Sequence, residues 1–440
     1  MYNAILNSPV GQALEQPQWE DVTQVQRVRE YLSACPALVD ADDVWRLRSL
    51  LARVAAGEAI VVQAGDCAED PAQSTPDHVA RKAALLDVLA GVVKLNTHMP
   101  VIRVGRIAGQ FSKPRSRPTE RLGHLELPVF RGHMVNAPEP DPFSRRPDPW
   151  RLVSCYHAAQ DVVESLGWRG PSWRRHVDPP MWISHEALLL DYEIPMLRHD
   201  GEGRQLLGST HWPWIGDRTR QVDGAHVALL SRVINPLACK VGPTMTVSEL
   251  CALCERLDPE REPGRLTLIA RIGAGKVAEL LPPLVSAVRG AGHPAIWLCD
   301  PMHANTVRTP NGLKTRFLNM IMREQHDFQE AVGSAGGIVG GLHLEVTPDD
   351  ITECVPDESC VDEVGDNYTT FCDPRLNRNQ AVTVVSAWRR RQSKGTRQTC
   401  SPDDPTKGRG MMENTSRIEP YRIPAADDLP DNIAQSAESA

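Results

Sequence analysis

Eight short apolar, β-branched runs recur along this chain, each followed by polar or glycine-rich sequence, and their number is what most limits the folds open to it. They are AIVVQA from Ala59, PVIRVG from Pro100, MWIS from Met181, LLGST from Leu206, PLACKVG from Pro236, LTLIARIG from Leu266, AIWLCD from Ala295 and GGLHLEVT from Gly340. Between several of them, apolar residues recur at three- and four-residue spacing, as in HVARKAALLDVLAGVVKL from His78 and SELCALCERL from Ser248. That spacing predicts helices, and strands alternating with helices predict a parallel sheet. Eight such units fit a closed (β/α)8 barrel, an α/β TIM barrel; a doubly wound open sheet would give a similar pattern.

The flanks read differently. Residues 1–58 form an N-terminal helical extension in which DVTQVQRVREYLSA is a predicted helix, and residues 59–392 form the catalytic barrel. A Pro- and Arg-rich insertion, residues 110–180, separates the second run from the third. Beyond Trp388 few apolar residues remain to be buried, so residues 393–440 are expected to be a disordered tail.

Composition removes several classes of function. A net charge of −8 and a pI near 6.0 provide no field for polyanions, and the basic residues are scattered apart from Arg389 to Arg391, so nucleic acid is not an expected partner. No apolar stretch reaches the roughly 20 residues that span a bilayer, and the first residues lack a basic and then apolar leader, so no membrane association and a cytoplasmic location are expected. The 11 Cys are odd in number and irregularly spaced, which predicts free thiols in a reducing compartment.

In a barrel the reactive groups lie at strand ends and in the loops that follow them. GDCAED places Cys67 after the first run, DPMHANT places His303 after the seventh, HLEVT places Glu345 at the end of the eighth, and YTTFCDPRLN places Asp373 in the next loop. Thiolate, imidazole and two carboxylates form a mixed soft and hard donor set suited to Mn²⁺, Co²⁺, Fe²⁺ or Zn²⁺. Each residue singly also has a plainer reading, as a core thiol or a hydrogen-bonded His.

A second set is basic: Arg106, Lys113, Arg115, Arg218, Lys240 and Arg271. Four of these lie in or just after runs, where an unpaired cation facing a barrel lumen is costly and needs a bound anion or acidic partners. Guanidinium groups grip phosphate and carboxylate bidentately, so a small phosphorylated acid fits; salt bridges closing the barrel are the alternative. Cys251 and Cys254 have CxxC spacing without a second pair and read as helix core. HWPWIGD reads as packing around the site, and the glycines from Gly333 do not form a dinucleotide fingerprint.

Taken in order, GDCAED, RIAGQFSKPRS, WISHEALLLDYE, STHWPWIGDRTRQVDGAHVALL, NPLACKVGP, ERLDPEREPGRLTLIARIG, DPMHANT, GLHLEVTPDDITEC and CDPRLN resemble the class II 3-deoxy-arabino-heptulosonate 7-phosphate (DAHP) synthases over roughly residues 15–390. The length is similar to that of members serving antibiotic pathways of the phenazine or ansamycin type. The resemblance implies a (β/α)8 barrel holding a divalent metal, Mn²⁺ or Co²⁺, on Cys67, His303, Glu345 and Asp373. It implies phosphoenolpyruvate bound by Arg106, Arg218, Lys240 and Arg271, with Asp217 alongside, and a substrate-site KPRS motif containing Lys113, Arg115 and Ser116. Arg115 and Ser116 are assigned to the aldose phosphate, and catalytic roles fall to Cys67, His303 and Lys113.

The implied reaction joins phosphoenolpyruvate to erythrose 4-phosphate and water, releasing phosphate, at the head of aromatic biosynthesis. Two alternatives are carried: use of an amino or imino erythrose 4-phosphate, suggested by Asp217 and Ala304 where the family usually has Glu and Gly, and a non-catalytic, partner-binding paralogue. A homo-oligomer is expected from the family, and weak or no feedback by aromatic amino acids from the short N-terminal region. Cys372, which precedes Asp373, is expected to lie near Cys67, close enough for the two thiols to form a disulfide.

Overall fold

The computed structural model describes residues 13–122, 125–169 and 180–389. Eight parallel strands close on themselves: β1 (Ile60–Gly65), β2 (Val101–Arg106), β3 (Trp182–Glu186), β4 (Trp212–Ile215), β5 (Leu237–Val241), β6 (Leu266–Ala270), β7 (Ile296–Cys299) and β8 (Ile338–Glu345). Each pairs with its neighbours in sequence, and β8 returns to β1 in register from Val61↔Gly341 to Gly65↔Glu345. The chain is therefore a (β/α)8 barrel. Residues of β3, β4, β5, β6 and β7 are buried throughout, as expected of strands covered on both faces.

The fourth strand differs from the one expected. Leu206 and Leu207 of the LLGST run belong to a side hairpin, Leu197–His199 with Gln205–Leu207, and the barrel strand is Trp212–Ile215. Proline has no N–H to give to a ladder, so Pro213 makes this segment an unusual strand. The strand is only four residues long and its two indoles, Trp212 and Trp214, are fully buried, so the barrel gains more from packing than it loses at one missing donor.

Two helices precede the barrel. In α1 (Val22–Ala34), Asp21 caps the N-terminus by accepting from Thr23 N at 2.8 Å and Gln24 N at 3.1 Å, and Val25, Val28 and Leu32 form the buried stripe. In α2 (Ala41–Ala55), Val44, Leu47, Leu51 and Val54 are buried, and the helix packs against β8. The strands are followed in turn by α3 (Pro76–Thr97), α4 (Trp150–Ser165), a single turn at Leu190–Glu193, α5 (Ala225–Leu230), α6 (Val247–Leu257), α7 (Val277–Gly290), α8 (Leu318–Ser334) and α9 (Arg378–Ser386). The insertion after β2 supplies the hairpin Thr119–Leu122 with Leu125–Pro128, and then α4. The expected tail lies outside the described residues. No helix among the described residues is long and apolar enough to cross a membrane.

Candidate active site at the barrel mouth

Every sequence-predicted site residue comes from the C-terminal end of a strand or the loop after it, so the closed barrel brings them to one rim. Local backbone chemistry aims the loops. After β2, Ala108 adopts φ +64° and the successive N–H groups of Ala108, Gly109 and Gln110 converge on the buried Glu69 carboxylate at 3.1, 2.9 and 2.7 Å. This nest fixes the start of the segment that carries Lys113, Arg115 and Ser116. After β6, Glu324 of α8 accepts from Ile272 N and Gly273 N at 3.1 and 2.8 Å, and from Asn305 of the β7 loop, tying together the loops that bear Arg271 and His303.

Ligand atoms of Cys67, Glu345 and Asp373 lie within 4.8 Å of one another, the one such group among the described residues. His303 joins them, its Nε2 standing 3.0 Å from Glu345 Oε1. One cation already sits among all four: Lys113 Nζ is 2.8 Å from Cys67 Sγ, 3.0 Å from Glu345 Oε1, 3.1 Å from Asp373 Oδ2 and 3.4 Å from His303 Nε2. Four donors focused on one positive centre, with one S, one N and two carboxylate O, fit a borderline divalent ion.

The electrostatics agree. Burial would raise the Glu345 carboxyl, but His303, Lys113 and Arg316 hold it well below the ordinary carboxylate range. Asp300 behaves likewise: burial opposes its charge, and His303 and Lys240 override it. Asp300 accepts from His303 Nδ1 at 2.8 Å, leaving Nε2 to face the ligand group, an outer contact that orients an imidazole for a metal. Burial pushes the Cys67 thiol well up, which an adjoining cation would counter. Cys372 shares a small buried cluster with Cys67, Ala68 and Phe130, as its position beside Asp373 suggested.

Beside the donors opens a cavity of about 330 Å³. Its walls carry seven Lys or Arg (Lys113, Arg115, Arg218, Lys240, Arg271, Lys314, Arg316) against three carboxylates (Glu186, Asp217, Asp373), a formal excess of four positive charges with His303 neutral. The basic set expected from sequence divides by its place around the cavity. Lys240 pairs with Asp300, and burial lowers its pKa to about 8; Arg271 pairs with Asp217 at 2.8 Å. Arg218 instead reaches outward to Ser116 Oγ at 2.7 Å, beside Arg115. Arg106 does not line the cavity: it lies beneath, bonded to Glu345 at 2.9 Å and to His343, under the Trp214 ring.

Sequence reasoning missed Glu186, Asp300, Lys314 and Arg316. Asp300 stood three residues before His303 in a motif already singled out, whereas Arg316, which holds Glu345 at 2.7 Å, has no local signal. Of the weaker motifs, Cys254 is buried and Cys251 half-buried on α6, as helix packing required.

The model of the Class-II DAHP synthetase family matches residues 8–168 and 163–387. A Pseudomonas fluorescens protein named probable phospho-2-dehydro-3-deoxyheptonate aldolase is 58% identical over 379 residues, 86% of this chain and 95% of its own. Two proteins named phospho-2-dehydro-3-deoxyheptonate aldolase, from Streptomyces coelicolor and Mycolicibacterium smegmatis, are 40% and 38% identical, covering 85% of this chain and 94% and 91% of theirs. With family match, barrel and mouth in agreement, the chain belongs to the class II DAHP synthase family.

Proposed function

We propose that this protein condenses phosphoenolpyruvate with erythrose 4-phosphate and water to give DAHP and inorganic phosphate, with a divalent ion, Mn²⁺ or Co²⁺, on Cys67, His303, Glu345 and Asp373. The observation that carries this reading is the focusing of those four donors on one point beside a strongly cationic cavity. When bound, the ion would supply Lewis acidity toward the aldehyde oxygen. Lys113, Lys240 and Arg271 grip the carboxylate and phosphate of phosphoenolpyruvate and orient its carbon 3 toward the aldehyde carbon. Arg106, from below, holds Glu345 rather than substrate. Arg115, Ser116 and Arg218, on the outer wall, receive the aldose phosphate. His303 is kept in one orientation by Asp300 throughout.

The amino-erythrose alternative gains no support from Asp217. Both its oxygens are engaged, with Arg271 at 2.8 Å and Arg220 at 2.9 Å, so no free carboxylate waits there for a substrate ammonium group. A non-catalytic paralogue would have no need to keep all four donors focused. The test is phosphate release from phosphoenolpyruvate in the presence of erythrose 4-phosphate and Mn²⁺ or Co²⁺: stoichiometric DAHP is expected, and no release with either metal rejects the reading.

A further inference from the structure

The cavity contains one carboxylate that the scheme above leaves unused. Glu186 ends β3, is 9% exposed and lines the cavity wall. Its Oε1 is buried and meets no hydrogen-bond partner among the described residues. The neighbouring carboxylates are all held by cations: Asp217 by Arg271 and Arg220, Asp373 by Lys113 and Lys314, Glu345 by Lys113, Arg106 and Arg316. Glu186 alone of these carries no ion pair among the described residues. A buried, unpaired carboxylate is costly to keep, and a purely structural one would have found a partner.

Its placement is built rather than incidental. Glu186 N donates to Gln110 Oε1 at 2.9 Å, and β3 fixes the residue opposite Trp214 of β4. Its carboxylate lies directly over Gly216, where a Cβ would come within 2.0 Å of Oε1, so any side chain at 216 would push the carboxylate from this position. Burial raises the affinity of Glu186 for a proton, while Lys113, Lys240, His303 and Arg106 act in the opposite direction. A buried carboxylate set among cations can both take a proton and return it.

We propose that Glu186 is the general base and then the general acid for the addition of water, a role that rests on the DAHP synthase reading. As carbon 3 of phosphoenolpyruvate bonds to the aldehyde carbon, carbon 2 becomes an oxocarbenium centre. Glu186 removes one proton from water while the water oxygen bonds to carbon 2. When the bond between carbon 2 and the phosphate oxygen breaks, its electron pair leaves with phosphate, and protonated Glu186 gives that oxygen its proton. The second water proton, released as the carbon 2 carbonyl forms, ends on the oxygen of the former aldehyde. The enzyme finishes in its starting protonation state.

The test is Glu186→Gln beside the wild type, with Mn²⁺ and both substrates. We expect kcat to fall by roughly 100-fold or more, both KM values to stay within about threefold, and phosphoenolpyruvate binding by calorimetry to persist. The acid limb of the wild-type kcat profile disappears in the variant, and Glu186→Asp regains part of the rate. Retention of more than about a third of kcat, a loss confined to KM, or an unchanged acid limb would overturn the proposal alone. A wild type that forms no DAHP overturns the underlying reading, and the proposal with it. Should Glu186→Gln fail to fold by circular dichroism, Glu186→Asp decides: a kcat at least about tenfold lower with the acid limb kept supports the role, and an unchanged kcat removes it.

Discussion

At the mouth of the barrel, Lys240 pairs with Asp300, Arg106 and Arg316 pair with Glu345, and the His303 ring bridges the two carboxylates, most of this network being buried. At the opposite end a cavity of about 380 Å³ is walled by Leu50, Ala59, Val101, Ile102 and Trp182, and two of its rim cations pair, Arg53 with Glu58 and Arg103 with Asp87. In the first region each charge is the neighbour's counter-ion in a low dielectric, so losing one leaves another uncompensated. In the second, side chains contribute packing, and exposed pairs contribute little. Mutations at the mouth should therefore change chemistry, and mutations at the far end should change stability.

The sharpest way to break that contrast is at the donors. Cys67→Ser or His303→Ala is expected to lower metal-dependent turnover by about three orders of magnitude or more, a loss of roughly 4 kcal/mol of transition-state stabilisation, with the far-ultraviolet spectrum unchanged. Full activity in either variant would remove the metal assignment. Next comes Arg271→Ala, which deletes a charge-assisted contact of about 1.5–3 kcal/mol and should weaken phosphoenolpyruvate binding roughly 10- to 150-fold. Unchanged KM and kcat would refute that role.

The far end predicts the reverse pattern. Leu51 on α2 is fully buried, and Leu51→Ala should cost about 2–5 kcal/mol in denaturant unfolding while kcat at a temperature below the transition stays at the wild-type value. A fall in kcat with the fold intact would show that the two ends are coupled.

The smallest effect concerns Glu324, the carboxylate that ties the Arg271 and His303 loops. Burial raises its pKa from 4.5 to about 7, against backbone donors that pull it down. Because the folded value lies above the unfolded one, the associated stability is fully present below about pH 4.5 and is lost as pH rises through 7. Glu324→Gln cannot titrate, and it carries a fixed cost from turning an amide toward backbone donors. Its melting temperature should therefore trail the wild type most at pH 5 and least at pH 8; a gap independent of pH would contradict the assignment.

The barrel was legible because strand burial leaves a local trace: seven of the eight runs coincide with barrel strands, and the donors and cations stand beside them in sequence. The fourth strand was not legible, since Pro213 breaks the local rule and only the fit of Trp212 and Trp214 into the closed barrel offsets it. Residue type and strand end were enough to nominate Cys67, His303, Glu345 and Asp373, because their donor chemistry is intrinsic to each side chain. Tertiary structure alone decided which charges are already neutralised. Arg106 faces Glu345 from below, Arg218 turns outward to Ser116, and Glu186 is left without a cation. Ion pairing depends on the few ångströms between groups far apart in the chain, 239 residues for Arg106 and Glu345, and sequence spacing carries no record of such distances.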